Sequence, residues 1–155
     1  MLFPRHQSLR LSEPLRHDGQ LHEQAEVIIL PAHYACRPDG SRWEGWCSAD
    51  ERAAWTCVVD RPGRFAVSVG CGGATYGAFQ SGHQVVVQVG SHTCRGELTN
   101  DAPLTALHTR HYPESRTRIG EVYLDTGIQH ISLHVERIGP AGFAMIPELR
   151  LIRLR

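Results

Sequence analysis

Across residues 53–71 the chain reads AAWTCVVDRPGRFAVSVGC, with apolar positions alternating on both sides of a polar break. Trp55, Cys57 and Val59 fall on one face of a first strand, and Phe65, Val67 and Val69 on one face of a second. This is the two-residue period of half-buried strands. Asp60-Arg61-Pro62-Gly63 separates them. Proline presets φ for a first turn corner and glycine accepts a positive φ at the next, so the pattern predicts a β-hairpin.

The same period recurs along the chain. Val27-Ile28-Ile29-Leu30, stopped by Pro31, reads as a buried or edge strand. Residues 84–89 and 92–98 flank Gly90-Ser91, a two-residue loop that primed turns accept, and predict a second hairpin. Strands are predicted again at 118–124, at 128–137 and at 146–154. In the last, Ile146, Glu148, Arg150, Ile152 and Leu154 share one face and Leu149, Leu151 and Arg153 the other. That mixed alternation suits a strand near the centre of a sheet, and Pro147 with the period excludes a helix. Residues 32–50, 70–82 and 99–117 are irregular and rich in turn formers. Roughly seven to nine strands with regular turn signals and no strong helix predict an all-β sandwich of two antiparallel sheets. No internal repeat points to a propeller or solenoid.

Length and charge narrow the function classes. At 155 residues the chain suits one domain, expected over 25–155, preceded at 1–24 by a tail or linker. Leu9 and Leu11 alternate there, so an extra strand laid on the fold is the other reading. Basic and acidic residues are equal at 16 each, without a basic run, so no nucleic-acid partner is expected. All the basic residues are Arg, to which we attach no functional weight. Residues 1–24 lack the apolar core of a secretory signal, and no apolar run approaches the roughly 20 residues of a spanning helix, so no membrane partner is expected. The cysteines Cys36, Cys47, Cys57, Cys71 and Cys94 are odd in number, so complete internal pairing is impossible. Cys57 and Cys71 lie in the strands, where Cys serves as a small buried hydrophobe. No CxxC spacing supports a structural zinc site.

The order of segments carries a resemblance. The pieces are IILPAHYA at the first strand, Trp46…Asp50…Trp55 leading into the next, PGRFAVSV, and VVVQVG followed by a hairpin and GEL. IGEVYLDTGIQHISLHV and a closing IPELRLIRL follow. Over most of the chain this order resembles galactose-binding-like jelly-roll sandwiches. It is similar to family 6 and 35 carbohydrate-binding modules and to the accessory domains of fucosidases and sulfatases. The resemblance implies a non-catalytic module that holds a glycan-active enzyme on a polysaccharide. Its sugar site would lie at one end of the sandwich, where aromatic loop residues stack on sugar faces while polar neighbours bond the hydroxyls.

By position the resemblance implies Trp43, Trp46, Asp50, Arg110, Tyr112 and Phe143 as ligand-binding residues, with Glu44 as a further acceptor. The family commonly has an Asn before the last strand, where this chain has Gly142-Phe143-Ala144-Met145. The missing amide favours the alternative, a structural or oligomerisation sandwich without sugar affinity and with a catalytic domain or a second copy as partner. Trp55, in mid-strand, is expected in the core, and Trp46 could equally plug the sandwich end. Trp43 is the better stacking candidate, and Tyr76 and Phe79 beside Gly77 are a lesser one.

Metal and catalytic chemistry find less support. His108, His111 and Glu114 form the one cluster of ligand types, and on a strand the two histidine rings would point to opposite faces. A metal-dependent enzyme would rest on that cluster alone. Many superfamily members hold a structural calcium ion, for which Glu26 and Glu148 are the implied ligands here. Ser68 and Ser132 lie in strands without a nucleophile elbow, and Gly72-Gly73 lacks the Lys of a phosphate cradle. No catalytic residue is assigned and no enzyme activity is expected. The sequence assigns no compartment; a place in a secreted glycan-active enzyme would make the chain extracellular or periplasmic.

Overall fold

The structure, a computed structural model, describes residues 9–13, 16–17, 20–21, 25–37, 40, 51–72, 82–99, 115–140 and 146–155. Among these described residues eleven strands follow in chain order. They are β1 (Leu9–Glu13), β2 (Arg16–His17), β3 (Gln20–Leu21), β4 (Ala25–Pro31), β5 (Arg52–Val59) and β6 (Gly63–Cys71). After them come β7 (Gln84–Val89), β8 (His92–Glu97), β9 (Ser115–Leu124), β10 (Gly127–Arg137) and β11 (Glu148–Arg153). A 3-10 turn, Ala32–Tyr34, follows β4.

Two antiparallel sheets form the sandwich: a five-stranded sheet in the order β1-β4-β11-β6-β9 and a four-stranded sheet in the order β5-β10-β7-β8. Strands β2 and β3 pair with each other. The predicted alternation decides what lies between the sheets. Ile28, Leu30, Phe65, Val67, Leu149 and Leu151 of the larger sheet meet Trp55, Cys57, Val87, Ile131 and Leu133 of the smaller. Each such aliphatic or aromatic side chain removed from water contributes about 1.5–3 kcal/mol. The result is an all-β sandwich, as the period predicts, of the jelly-roll type that the resemblance implies.

Several particulars differ from the pattern reading. The segment 53–71 is not a hairpin: β5 pairs with β10, while β6 pairs with β11 and β9. Residues 60–62 therefore carry the chain across the core from one sheet to the other. Apolar alternation reports which face of a strand is buried, and two strands facing each other across a core share that signature with two strands bonded edge to edge. Gly63 is absent from the positive-φ glycines, so it does not serve as the left-handed corner. A Cβ there would instead lie 2.2 Å from Nη1 of Arg153, so the glycine makes room for a guanidinium.

By contrast β7 and β8 do form the second predicted hairpin, with Val89 opposite His92 and Gly90 at φ 57° in the turn. β11 lies at the centre of its sheet, as its mixed faces indicate. Within 1–24 the structure shows the extra strand rather than an open tail for Leu9–Glu13, whose residues pair in register with β4 from Leu9–Ile29 to Glu13–Ala25. β4 is thereby an interior strand.

Candidate functional site

From β4 onward the direction of each strand sorts the connections by length, whereas residues 14–24, between β1 and β4, lie at the pole of the short turns. Residues 60–62, 90–91 and 125–126 turn the chain at one pole of the sandwich. The connections 32–51, 72–83, 98–114 and 138–147 all leave and re-enter at the opposite pole. Connections longer than about 12–15 residues, as 32–51 and 98–114 are, are uncommon inside a compact domain unless they carry function.

The roots of these four connections are tied to one another. Nε1 of Trp55, from the smaller sheet, donates to the carbonyl of Pro31 in the larger one at 2.9 Å. The Ala32 N–H donates to Pro147 O at 2.8 Å, which joins the start of 32–51 to the end of 138–147. Cys36 and Ala54 exchange backbone hydrogen bonds at 2.9 and 2.7 Å and fix the 32–51 connection against β5. Oγ1 of Thr117 accepts from the Thr99 N–H at 2.9 Å and donates to the Thr99 carbonyl at 3.0 Å, closing the base of 98–114. Glu148 accepts from both Arg116 (3.1 and 3.0 Å) and Arg150 (2.8 Å).

His83 joins three of the roots. Its carbonyl accepts from the Leu98 N–H at 2.9 Å and its Nδ1 accepts from the Gly139 N–H at 2.9 Å. Accepting at Nδ1 requires a ring whose proton sits on Nε2. The residue is 1% exposed, and burial holds its pKa below the ordinary value of 6.5. The sign follows directly. The unfolded chain takes up this proton as the pH falls through about 6.5, while the folded chain resists until a lower pH, so the folded state loses stability across that interval. Above about pH 6.5 the contribution is fully present. Urea midpoints measured from about pH 7.5 down to pH 5 should fall for the native chain. They should fall less steeply for His83→Asn, whose amide oxygen can accept the same N–H. His134, also shifted down by burial, leaves a residual slope of the same sign in both proteins.

The sequence-derived ligand residues Trp43, Trp46, Asp50, Arg110, Tyr112 and Phe143 lie outside the described residues, as do Glu44, Tyr76, Phe79, His108, His111 and Glu114. Trp43, Trp46 and Asp50 belong to connection 32–51, Arg110 and Tyr112 to 98–114, and Phe143 to 138–147, so the strands bracketing all six end at the same pole. Trp55 is a core residue, 2% exposed. Sequence reading missed Tyr34, which is 48% exposed in the 3-10 turn at this pole. It sits just beyond the strand-ending Pro31, where strand period no longer reports a face.

The two acidic residues implied for calcium are not brought together. Pro31 pairs with Glu148 and Val27 with Ile152, so Glu26 lies at the other end of β4, about 17 Å along the strand from Glu148. The Glu26 carboxylate takes Nε of Arg153 at 2.6 Å, with Arg61 at 3.6 Å, and Glu148 is held by its two arginines. Calcium wants six to eight oxygen ligands, so two separated carboxylates already engaged by guanidinium groups do not fit a shared ion. Among the described residues no group of three or more His, Cys, Asp or Glu is placed to hold a metal.

No protein-family model and no curated protein matches the chain. Solved structures do. The chain is similar to a Podospora anserina GH26-CBM35 beta-(1,4)-mannanase at 12% identity and a TM-score of 0.55, over 83% of this chain and 28% of that one. It is similar to an alpha-L-fucosidase from Vibrio sp. strain EJY3 at 15% identity and a TM-score of 0.57, over 95% of this chain and 32% of that one. The chain thus spans about a third or less of the length of these proteins. At such identities the likeness is one of fold alone, an antiparallel β-sandwich of two sheets.

Proposed function

We propose that the chain is a non-catalytic carbohydrate-binding module that holds a glycan-active enzyme on its polysaccharide, with the sugar bound at the pole of the long connections. The observation that carries this reading is the asymmetry of the sandwich from β4 onward: the four long connections after β4 share one pole, and their roots are bonded to one another. A platform of that kind positions loop side chains without motion of the strands beneath. The residues assigned to the ligand are Trp43, Trp46 and Tyr112 for stacking on sugar faces, Asp50 and Arg110 for hydroxyls, and Phe143 to close the site. The exposed Tyr34 extends the aromatic surface. The fold shared with parts of two larger glycan-active proteins supports a role as a module beside a catalytic domain.

The test is an affinity-gel and glycan-array screen on the full chain, with calcium and with chelator. Retention on a defined polysaccharide, lost at least tenfold in Trp43→Ala with folding intact, is the expected result; stacking by one aromatic ring is worth about that factor. Retention that chelator abolishes would bring a calcium ion into the site with ligands other than Glu26 and Glu148. An oligomerisation sandwich is favoured by a different observation: Val58 and Ile128 are paired in register and exposed at 38% and 61% near the short-turn pole. No retention on any glycan, together with self-association lost on Ile128→Ser, would move the assignment there.

A further inference from the structure

At the loop pole the ladder between β7 and β10 ends on a side chain instead of a backbone carbonyl. The last pair is Gln84 with Arg137, reached after a shift of register between Val135 and Arg137. One residue before Gln84 the His83 ring takes the next donor: the Gly139 N–H gives its hydrogen bond to Nδ1 at 2.9 Å, between residues 56 positions apart in the chain. The His83 carbonyl already accepts from the Leu98 N–H, so it is the ring that reaches the 138–147 connection. The two backbones lie against each other there. A Cβ on Gly82, whose φ is 95°, would stand 3.4 Å from Gly139 Cα and 3.5 Å from Pro140 Cδ. Nε of Arg137 reaches the Gly82 carbonyl at 3.4 Å, but that contact is exposed and long, which leaves the ring bond as the stronger of the two hydrogen bonds.

An imidazole in this position differs from a carbonyl or an amide in one respect: its acceptor can be lost. A neutral ring with its proton on Nε2 accepts at Nδ1, whereas an imidazolium carries N–H on both nitrogens and sets a donor against the Gly139 donor. The ring is 1% exposed, so a proton from solvent reaches Nδ1 as the Gly139 N–H moves away. Burial lowers the pKa of the closed ring, and an opened, hydrated ring returns to about 6.5. Among the described residues, the charged groups at the neighbouring strand ends are Arg137 of β10 and Glu97 of β8, opposite in sign, 4.0 Å apart and exposed. The thiol of Cys71 lies at the loop-pole end of β6 on the other side of the core.

We propose that His83 is a positioning residue that clasps the 138–147 connection while its ring is neutral and releases it when Nδ1 is protonated. That release weakens glycan binding rests on the function proposed above, which gives Phe143 of this connection to the sugar; the clasp itself does not. Release is local, because the bond joins two connection roots beyond the end of the ladder, and openings of that kind need less free energy than global unfolding. The open state holds one proton more than the closed one. Between the closed-ring pKa and about 6.5, each pH unit downward therefore raises the opening equilibrium about tenfold. A backbone carbonyl or an asparagine amide in the same place would hold Gly139 equally across that interval.

Amide hydrogen exchange of the full chain, read by NMR from about pH 7.5 to about pH 5 and expressed as protection factors, tests the clasp without any glycan. The Gly139 protection factor should fall about tenfold per pH unit below about 6.5. It should also stay below those of Val87 and Leu149, in interior strands, which marks the opening as local. His83→Asn, whose amide oxygen can accept the same N–H, should show no such fall, and this rescue separates the proton from the shape of the side chain. A Gly139 protection factor that does not fall with pH in the native chain, that equals those of Val87 and Leu149, or that falls as steeply in His83→Asn overturns the proposal. On a gel that retains the chain at about pH 7.5, retention should weaken toward about pH 5 for the native chain and be less pH-dependent for His83→Asn. Equal pH dependence of retention in the two proteins overturns the link to the sugar face. Release of Gly139 with no retention on any glycan at any pH strikes the loop-pole reading and leaves the clasp standing.

Discussion

Trp55→Ala is expected to lower the unfolding free energy by about 3–5 kcal/mol, a large share of the 5–15 kcal/mol that holds a typical domain folded. The ring is 2% exposed and packs in the core between the sheets. Its Nε1–H donates to Pro31 O at 2.9 Å, so one side chain of the smaller sheet is bonded to the last residue of β4 in the larger. Trp55→Phe separates the two contributions. It keeps most of the apolar contact, but it leaves the Pro31 carbonyl without this donor and opens a void the size of the missing ring. A loss of about 1–3 kcal/mol is expected for Phe. Urea unfolding with the slope m held equal measures both. Equal losses for Ala and Phe would mean that the hydrogen bond, rather than burial of the ring, accounts for the effect. Because Pro31 immediately precedes the 32–51 connection, Trp55→Phe should also weaken glycan retention, although the ring itself never meets the ligand.

Trp55 also marks how far the sequence carries the structure. Its face, and those of Leu149, Leu151, Phe65 and Ile131, follow from a two-residue period, because burial of one face is a local property that each strand writes into its own residues. Pairing partners are not local. β5 and β6 follow each other closely in sequence yet belong to different sheets, and nothing in either strand distinguishes an edge-to-edge neighbour from one across the core. β7 and β8 were legible as a hairpin because Gly90, at φ 57°, supplies the left-handed corner that a two-residue primed turn needs; length alone does not decide, since residues 125–126 carry the chain from β9 in one sheet to β10 in the other.

The candidate site divides in the same way. Residue types suited to sugar stacking and hydroxyl bonding are visible in the sequence at Trp43, Trp46 and Tyr112. That their connections share one pole becomes visible only when strand directions are known. Glu26 and Glu148 are both acidic residues at strand ends, but β4 and β11 run antiparallel, which sends one to each pole. His83 and Gly139 stand 56 positions apart in the chain, so no window of sequence contains the bond between them.

Arg153→Ala should cost about 2–4 kcal/mol, the largest effect expected from a charged residue in this chain. Arg153 lies on the core face of β11 with Leu149 and Leu151, where a cation is tolerated only if each of its donors finds a partner. Nε donates to Glu26 at 2.6 Å, Nη1 to the Pro62 carbonyl at 3.0 Å and Nη2 to the Arg61 carbonyl at 2.6 Å. The guanidinium carbon stands 4.6 Å from the ring centroid of Phe65, itself wholly buried. One side chain thus closes the core at the short-turn pole and holds the sheet-to-sheet link at residues 60–62. Arg153→Met keeps an apolar stem over Phe65 but takes from the Glu26 carboxylate, 15% exposed, its Arg153 partner at 2.6 Å and leaves the Arg61 guanidinium at 3.6 Å. The double variant Glu26→Leu/Arg153→Met should therefore be more stable than Arg153→Met alone, because a well-packed apolar pair replaces a broken ion pair. Gly63→Ala tests the same lock from the other side: its Cβ would sit 2.2 Å from Nη1, so it must push the guanidinium off the Pro62 carbonyl. Its cost should shrink in the Arg153→Met background, where that atom is gone, and a thermodynamic cycle over the four proteins reads this coupling directly. If Gly63→Ala costs the same with and without the guanidinium, residues 60–62 are held by something other than Arg153.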